Sequence, residues 1–143
     1  MFKSRTISIP IDRPYAEVYE FLAEPRNFPS WASNLGADFA HVGGTEWSTT
    51  TRTGRVILRF ASRNDFGVLD HAVYAEGTKP FITPMRVIAN GDGAEILFTL
   101  LQRPGMTDAE FESEAEWVRS DFDALRSLLE TATPNEVVFH DEK

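Results

Sequence analysis

The chain has 143 residues, 42% of them hydrophobic, with 22 acidic against 14 basic side chains and a formal charge of -8. That length suits one domain able to bury roughly two thirds of its unfolded surface. The charge argues against nucleic acid or an anionic membrane as partner, because both are bound through basic patches. With no cysteine in the chain, a disulfide framework and thiolate chemistry are both excluded.

The first ten residues, MFKSRTISIP, lack the apolar core of a signal peptide, and no run approaches the ~20 apolar residues of a membrane span. A cytoplasmic protein without membrane insertion is expected. Residues 2–9 alternate polar and apolar, as a half-buried strand does. Asp12 is a candidate N-cap for a helix over about 12–24, with Pro14 in its first turn and Val18, Phe21 and Leu22 on one face. The stretch PRNFPSWASNL that follows is too interrupted by proline for a long helix and reads as a short helical turn carrying Phe28 and Trp31.

From residue 36 to 104, turn signals recur at Gly43-Gly44, Thr53-Gly54, Asn64-Asp65, Glu76-Gly77 and Asn90-Gly91-Asp92-Gly93. Such spacing predicts an antiparallel meander with strands near 37–42, 45–52, 55–62, 67–75, 80–89 and 94–103. After Pro104-Gly105, the segment Thr107-Asp108-Ala109-Glu110 is a capping box. Phe111, Ala115, Val118, Phe122, Leu125 and Leu129 then form one apolar stripe along a long helix. The order is α+β: a curved seven-stranded antiparallel sheet wrapped around a long C-terminal helix, with two short helices between strands 1 and 2. One domain over 1–133 and a C-terminal tail over 134–143 are expected, the tail segment EVVF having no partner that the sequence assigns.

The stretches AEVYEFLAEPRNFPSWA, FGVLDHAV, PMRVIANGDGAEILFTL and RPGMTDAEFESEAEWVRSDFDALRSLLE resemble the polyketide cyclase/dehydrase-like branch of the START-type helix-grip superfamily, also called SRPBCC. The likeness runs over about residues 2–130. It implies a long C-terminal helix gripped by a bent sheet, with a cavity between them. Members include lipid carriers, hormone receptors, cyclases, dehydratases and chaperone-associated modules, so the resemblance implies a fold and leaves the chemistry open.

Asp70 and His71 are adjacent, but successive strand side chains point to opposite faces, so at most one meets the cavity. A two-residue turn centred on Asn64-Asp65 is expected to set Phe60 opposite His71 and Leu58 opposite Val73. That apolar face turns His71 inward and Asp70 outward, diagonal to Arg59 and Arg63, while a one-residue slip reverses both. Arg86 follows Pro84, which removes a ladder hydrogen bond and suggests a bulge. Turned inward beside His71, Arg86 supplies a cation for a carboxylate, enolate or phenolate; turned outward, it is a surface arginine. Trp31, Phe28, Trp47, Phe60, Phe98, Phe111, Val118 and Phe122 are candidate ligand-binding residues, each also an ordinary core residue. Trp117 lies off the stripe and is placed at a sheet edge or partner surface, and the acidic run 108–116 at a solvated face.

His41, His71 and His140 are far apart and no metal-binding or GxSxG motif is present, so no metal, cofactor or serine nucleophile is expected. The first functional reading is binding of a small apolar, ring-containing molecule between sheet and helix. The second is a cyclase/dehydratase- or isomerase-type enzyme, with His71 as proton shuttle and Arg86 as oxyanion stabiliser. A protein-interaction module is the third, and a homodimer is among the partners considered.

Overall fold

The computed structural model describes residues 1–33 and 35–131. The boundary at 133, the tail 134–143 and its EVVF segment lie outside the described residues.

Strand β1 (Ser4–Ile11) buries Ile7, Ile9 and Ile11 on one face, as its alternation predicts. Helix α1 (Tyr15–Ala23) buries Val18, Tyr19 and Phe21. Its start departs from expectation: Pro14 stands at the N-cap with no side-chain cap, and Asp12 instead donates its backbone N–H to Glu130 Oε2 at 2.7 Å. A 3-10 helix, Pro25–Ser30, follows, its first turn held by Glu24, which accepts from the Arg26 backbone N–H at 3.0 Å.

The strands that come next are β2 (Ala40–Gly43), β3 (Glu46–Thr51), β4 (Gly54–Phe60), β5 (His71–Ala75), β6 (Ile82–Thr83), β7 (Met85–Asn90) and β8 (Gly93–Leu101). They do not form the single seven-stranded sheet that the turn spacing suggests. Two antiparallel sheets form, one of three strands in the order β1-β8-β7 and one of five in the order β2-β3-β4-β5-β6. The division falls at Pro84. Without an N–H this residue cannot continue a ladder, and the chain passes there from pairing with β5 to pairing with β8. Asp70 covers the break by accepting the Met85 N–H at 2.9 Å.

Across β4 and β5 the register is Phe60↔His71 and Leu58↔Val73, as expected. The connection is not a tight turn, however. A two-residue turn on Asn64-Asp65 would close Phe60 on Leu69. Residues 61–70 instead make a longer arch, shut at its base by the Ala61 N–H donating to Asp70 O at 3.0 Å. Asn64 organises the arch, its side-chain oxygen accepting from the Phe66 and Val68 N–H groups at 2.9 and 3.0 Å. The far side lies along β7, where Gly67 O accepts from the Val87 N–H at 3.0 Å.

Helix α2 (Asp108–Thr131) opens on the expected capping box: Thr107 N–H donates to Glu110 Oε1 at 2.9 Å, and Glu110 N–H to Thr107 Oγ1 at 3.1 Å. Its buried stripe is Phe111, Ala115, Phe122, Leu125 and Leu129. These residues join Ile7, Ile9, Val87, Ile96 and Phe98 in the main core. A second cluster of Trp47, Val56 and Leu58 forms in the five-stranded sheet, with Phe28, Phe39 and Phe60 against it. No helix among the described residues is long and apolar enough to cross a membrane.

Candidate functional site

Pairing register fixes the inner face of the five-stranded sheet. His71, Phe60, Leu58 and Trp47 share it by register, and Thr83 joins them opposite His71. This face and α2 bound an open-mouthed cavity of about 450 Å³, whose wall includes Phe28, His71, Phe98, Leu100, Trp117 and Val118. A second, small space of about 20 Å³, room for about one water, lies behind it against Trp31, Phe60 and Met85. Phe28 and His71 belong to both walls, so this pair forms the partition.

His71 is 9% exposed and ringed by aromatic side chains, with ring centroids 5.8 Å from Phe98, 6.2 Å from Phe28 and 6.4 Å from Phe60. Its Nδ1 lies 3.0 Å from Leu69 O. A carbonyl oxygen only accepts, so Nδ1 carries the hydrogen and Nε2 of the neutral ring holds a lone pair. Burial pushes the His71 pKa below its usual value, outweighing the Leu69 hydrogen bond and the Asp70 charge. The resident form is therefore the neutral imidazole. Among the described residues no hydrogen bond engages Nε2.

Asp70 faces the other way, and its cation is neither Arg59 nor Arg63. Arg59 pairs with Glu46 at 3.8 Å and Arg63 with Glu20 at 2.8 Å. Arg86 is the partner: its guanidinium donates to Asp70 Oδ1 and, at 3.0 Å, to Met85 O. That correction removes Arg86 from the site, since it contributes to neither wall. No bulge re-aims Arg86: β7 keeps an unbroken register with β8, and the guanidinium lies against Asp70.

The aromatic candidates separate into two groups. Phe28, Trp31, Phe60, Phe98 and Val118 line one cavity or both. Trp47 stacks on Phe39 at 5.1 Å in the second cluster, away from both spaces. Phe111 is buried in the main core beneath the Arg5 guanidinium. Phe122 lies behind the wall, in contact with Trp31 and Phe98 at 5.8 and 5.5 Å.

Sequence reasoning missed the polar rim. Arg103 Nη2 donates to Glu114 Oε2 at 3.2 Å, and both side chains line the larger cavity. Glu114 Oε1 is buried with no hydrogen-bond partner. At the mouth, Asp121 accepts from Ser33 Oγ at 2.8 Å and from the Ser33 N–H at 3.2 Å, and Trp117 Nε1 donates to Ser33 Oγ. Trp117, 44% exposed, thus edges the cavity rather than a sheet. A helical-face count holds the missing signal: Glu114, Trp117, Val118 and Asp121 are spaced three or four apart, a second face of α2 beside the core stripe. The loop carrying Leu35 is docked by Asp38, which accepts from Thr50 Oγ1 at 2.7 Å, Thr50 N–H at 2.9 Å and Thr49 Oγ1 at 3.0 Å. These bonds push the Asp38 pKa down to about 2, the Thr50 hydroxyl contributing most.

The arrangement can enclose a molecule against aromatic walls and can accept a hydrogen bond or a proton at His71 Nε2. No group of three His, Cys, Asp or Glu among the described residues is placed to hold a metal ion.

No protein-family model matches the chain, and no curated protein matches it in sequence. Solved structures match it in shape along most of its length. An uncharacterised protein from Bacillus thuringiensis is similar at a TM-score of 0.69 and 14% identity, over 89% of this chain and 98% of its own. The Aha1 dimer from Colwellia psychrerythraea gives 0.69 and 14%, over 90% and 97%. CalU16 from Micromonospora echinospora gives 0.63 and 14%, over 94% and 80%. Identity this low speaks for the fold alone: two antiparallel sheets around a long C-terminal helix, the helix-grip architecture.

Proposed function

We propose that the protein binds a small apolar, ring-containing molecule in the cavity between the inner sheet face and α2. The observation that carries this reading is the cavity itself, about 450 Å³ with Phe28, Phe98, Leu100, Trp117 and Val118 in its wall. Ligand sites run to about 300–1,000 Å³ with mostly apolar walls, and this open-mouthed pocket has that size and that kind of wall. The resemblance of the sequence to the SRPBCC superfamily, polyketide cyclase/dehydrase-like branch, supports the same reading. A homodimer belongs to it too, on the support of the Aha1 neighbour having been solved as a dimer.

An enzyme of the cyclase/dehydratase or isomerase kind is the second reading, favoured by the neutral His71 ring at the cavity wall. It lacks the cation first assigned to it, because Arg86 is engaged by Asp70.

Val118→Trp tests the first reading, since it fills the cavity from the helix side. Native mass spectrometry of the purified chain, with and without a panel of two- to four-ring compounds, should show a bound small molecule in the parent. Occupancy should fall at least tenfold in a Val118→Trp chain of parental stability. A folded parent that retains and binds none of the panel sinks the proposal.

A further inference from the structure

His71 offers a ligand in the cavity an acceptor that nothing among the described residues engages. Its Nδ1 donates to Leu69 O at 3.0 Å, leaving the Nε2 lone pair among Phe28, Phe60 and Phe98. Glu114 Oε1, buried and without a partner, adds negative charge beside the wall. Among the described residues of the wall the arginine is Arg103, whose Nη2 pairs with Glu114 at 3.2 Å and whose guanidinium lies over the Phe81 ring at 5.8 Å. An anionic ligand drawn to Arg103 would have to compete with that carboxylate, with Asp121 at the mouth and with a chain charge of -8. An acceptor that a ligand covers without matching weakens binding, so the ligand that fits must bring a donor to His71 Nε2.

From this we infer that the cavity selects neutral ring compounds bearing a hydroxyl, which donates its hydrogen to His71 Nε2, and rejects the corresponding carboxylates. The inference rests on the binding reading above and sharpens it to a ligand class. His71 acts here as a recognition residue, and no bond is made or broken.

Equilibrium dialysis at pH 7 with 2-naphthol, 2-methoxynaphthalene and 2-naphthoate separates the two claims. The ring is constant and only the polar group changes. The phenol should bind at least tenfold tighter than its methyl ether, and the carboxylate more weakly than either. In His71→Leu the phenol and ether should bind alike, with the ether within about threefold of its parental affinity. His71→Gln, which keeps an acceptor, should restore part of the preference for the phenol. Equal binding of phenol and ether by the parent, or tightest binding of the carboxylate, overturns the ligand class while leaving the cavity reading intact. Failure of all three to bind removes the cavity reading and the inference together. The parent series decides without any variant, so a poorly folding His71→Leu does not rescue the idea.

Discussion

His71 and Asp70 are one peptide bond apart and belong to different environments. The imidazole is buried in an aromatic box as a neutral acceptor, while the carboxylate binds Arg86 and the Met85 N–H on the outer face. Strand alternation made that separation legible from two adjacent letters. The identity of Asp70's partner was not legible, because Arg86 reaches it only through a chain that changes sheets at Pro84. Both titrations have a defined sign. His71 has a folded pKa below its usual 6.5, so the unfolded chain takes up a proton first. Stability is unaffected by His71 above about pH 7 and falls as the pH drops below about 6.5, until the folded pKa is reached. Urea midpoints between pH 7.5 and 5 should fall more steeply in the parent than in His71→Gln, by at most about 1.4 kcal/mol per pH unit. Parallel curves would contradict a buried neutral ring. Asp38, depressed to about 2, acts in a lower window: its contribution is complete above about pH 4 and is lost as the pH falls toward 2.

Among the elements, the connection between β4 and β5 shows where pattern reading succeeds and where it stops. Asn64-Asp65 marked a reversal and the Phe60↔His71 register is present, but not through the two-residue turn from which it was expected, which would pair Phe60 with Leu69. The length of the reversal depended on contacts with β7, which are 20 residues away in the chain and carry no local signature. Gly67 is where those contacts tighten. Its φ is +70°, and an added Cβ would sit 2.1 Å from Val87 O, a backbone atom with nowhere to go. Gly77 has a similar φ of +87° but open space around it. Chemical denaturation should therefore separate the two alanine variants. Gly77→Ala is expected to cost about 1 kcal/mol for backbone strain alone, and Gly67→Ala roughly 3 kcal/mol or more. Equal costs would mean that the arch does not rest on β7 in solution.

At the scale of the whole molecule, the α+β order and the apolar stripe of the last helix were readable because they depend on periodicity, which sequence carries directly, whereas the sheet's grip on that helix was implied by the resemblance. The seven-stranded sheet was not, since a proline inside one strand run divides the ladder without removing the strand signal. Cavity walls are harder still. Volume is what remains after elements pack, so aromatic residues such as Trp47 and Phe111 could not be told from Phe28 and Phe98 by composition. Position on α2 would have helped, for the face holding Glu114, Trp117, Val118 and Asp121 looks solvated until a sheet is set opposite it.

That wall joins Phe28, near the start of the chain, to Asp121 on the last helix, so an occupant touches segments that separate only when the whole domain unfolds. Binding and global stability are then thermodynamically linked. At a free concentration one hundred times its Kd, a ligand adds about 2.7 kcal/mol to the unfolding free energy, a rise in melting temperature on the order of 10 °C for a domain of this size. Heat becomes a means of finding the natural occupant. Fractions of a cell extract that lift the parent's melting curve, and leave that of Val118→Trp where it was, contain it.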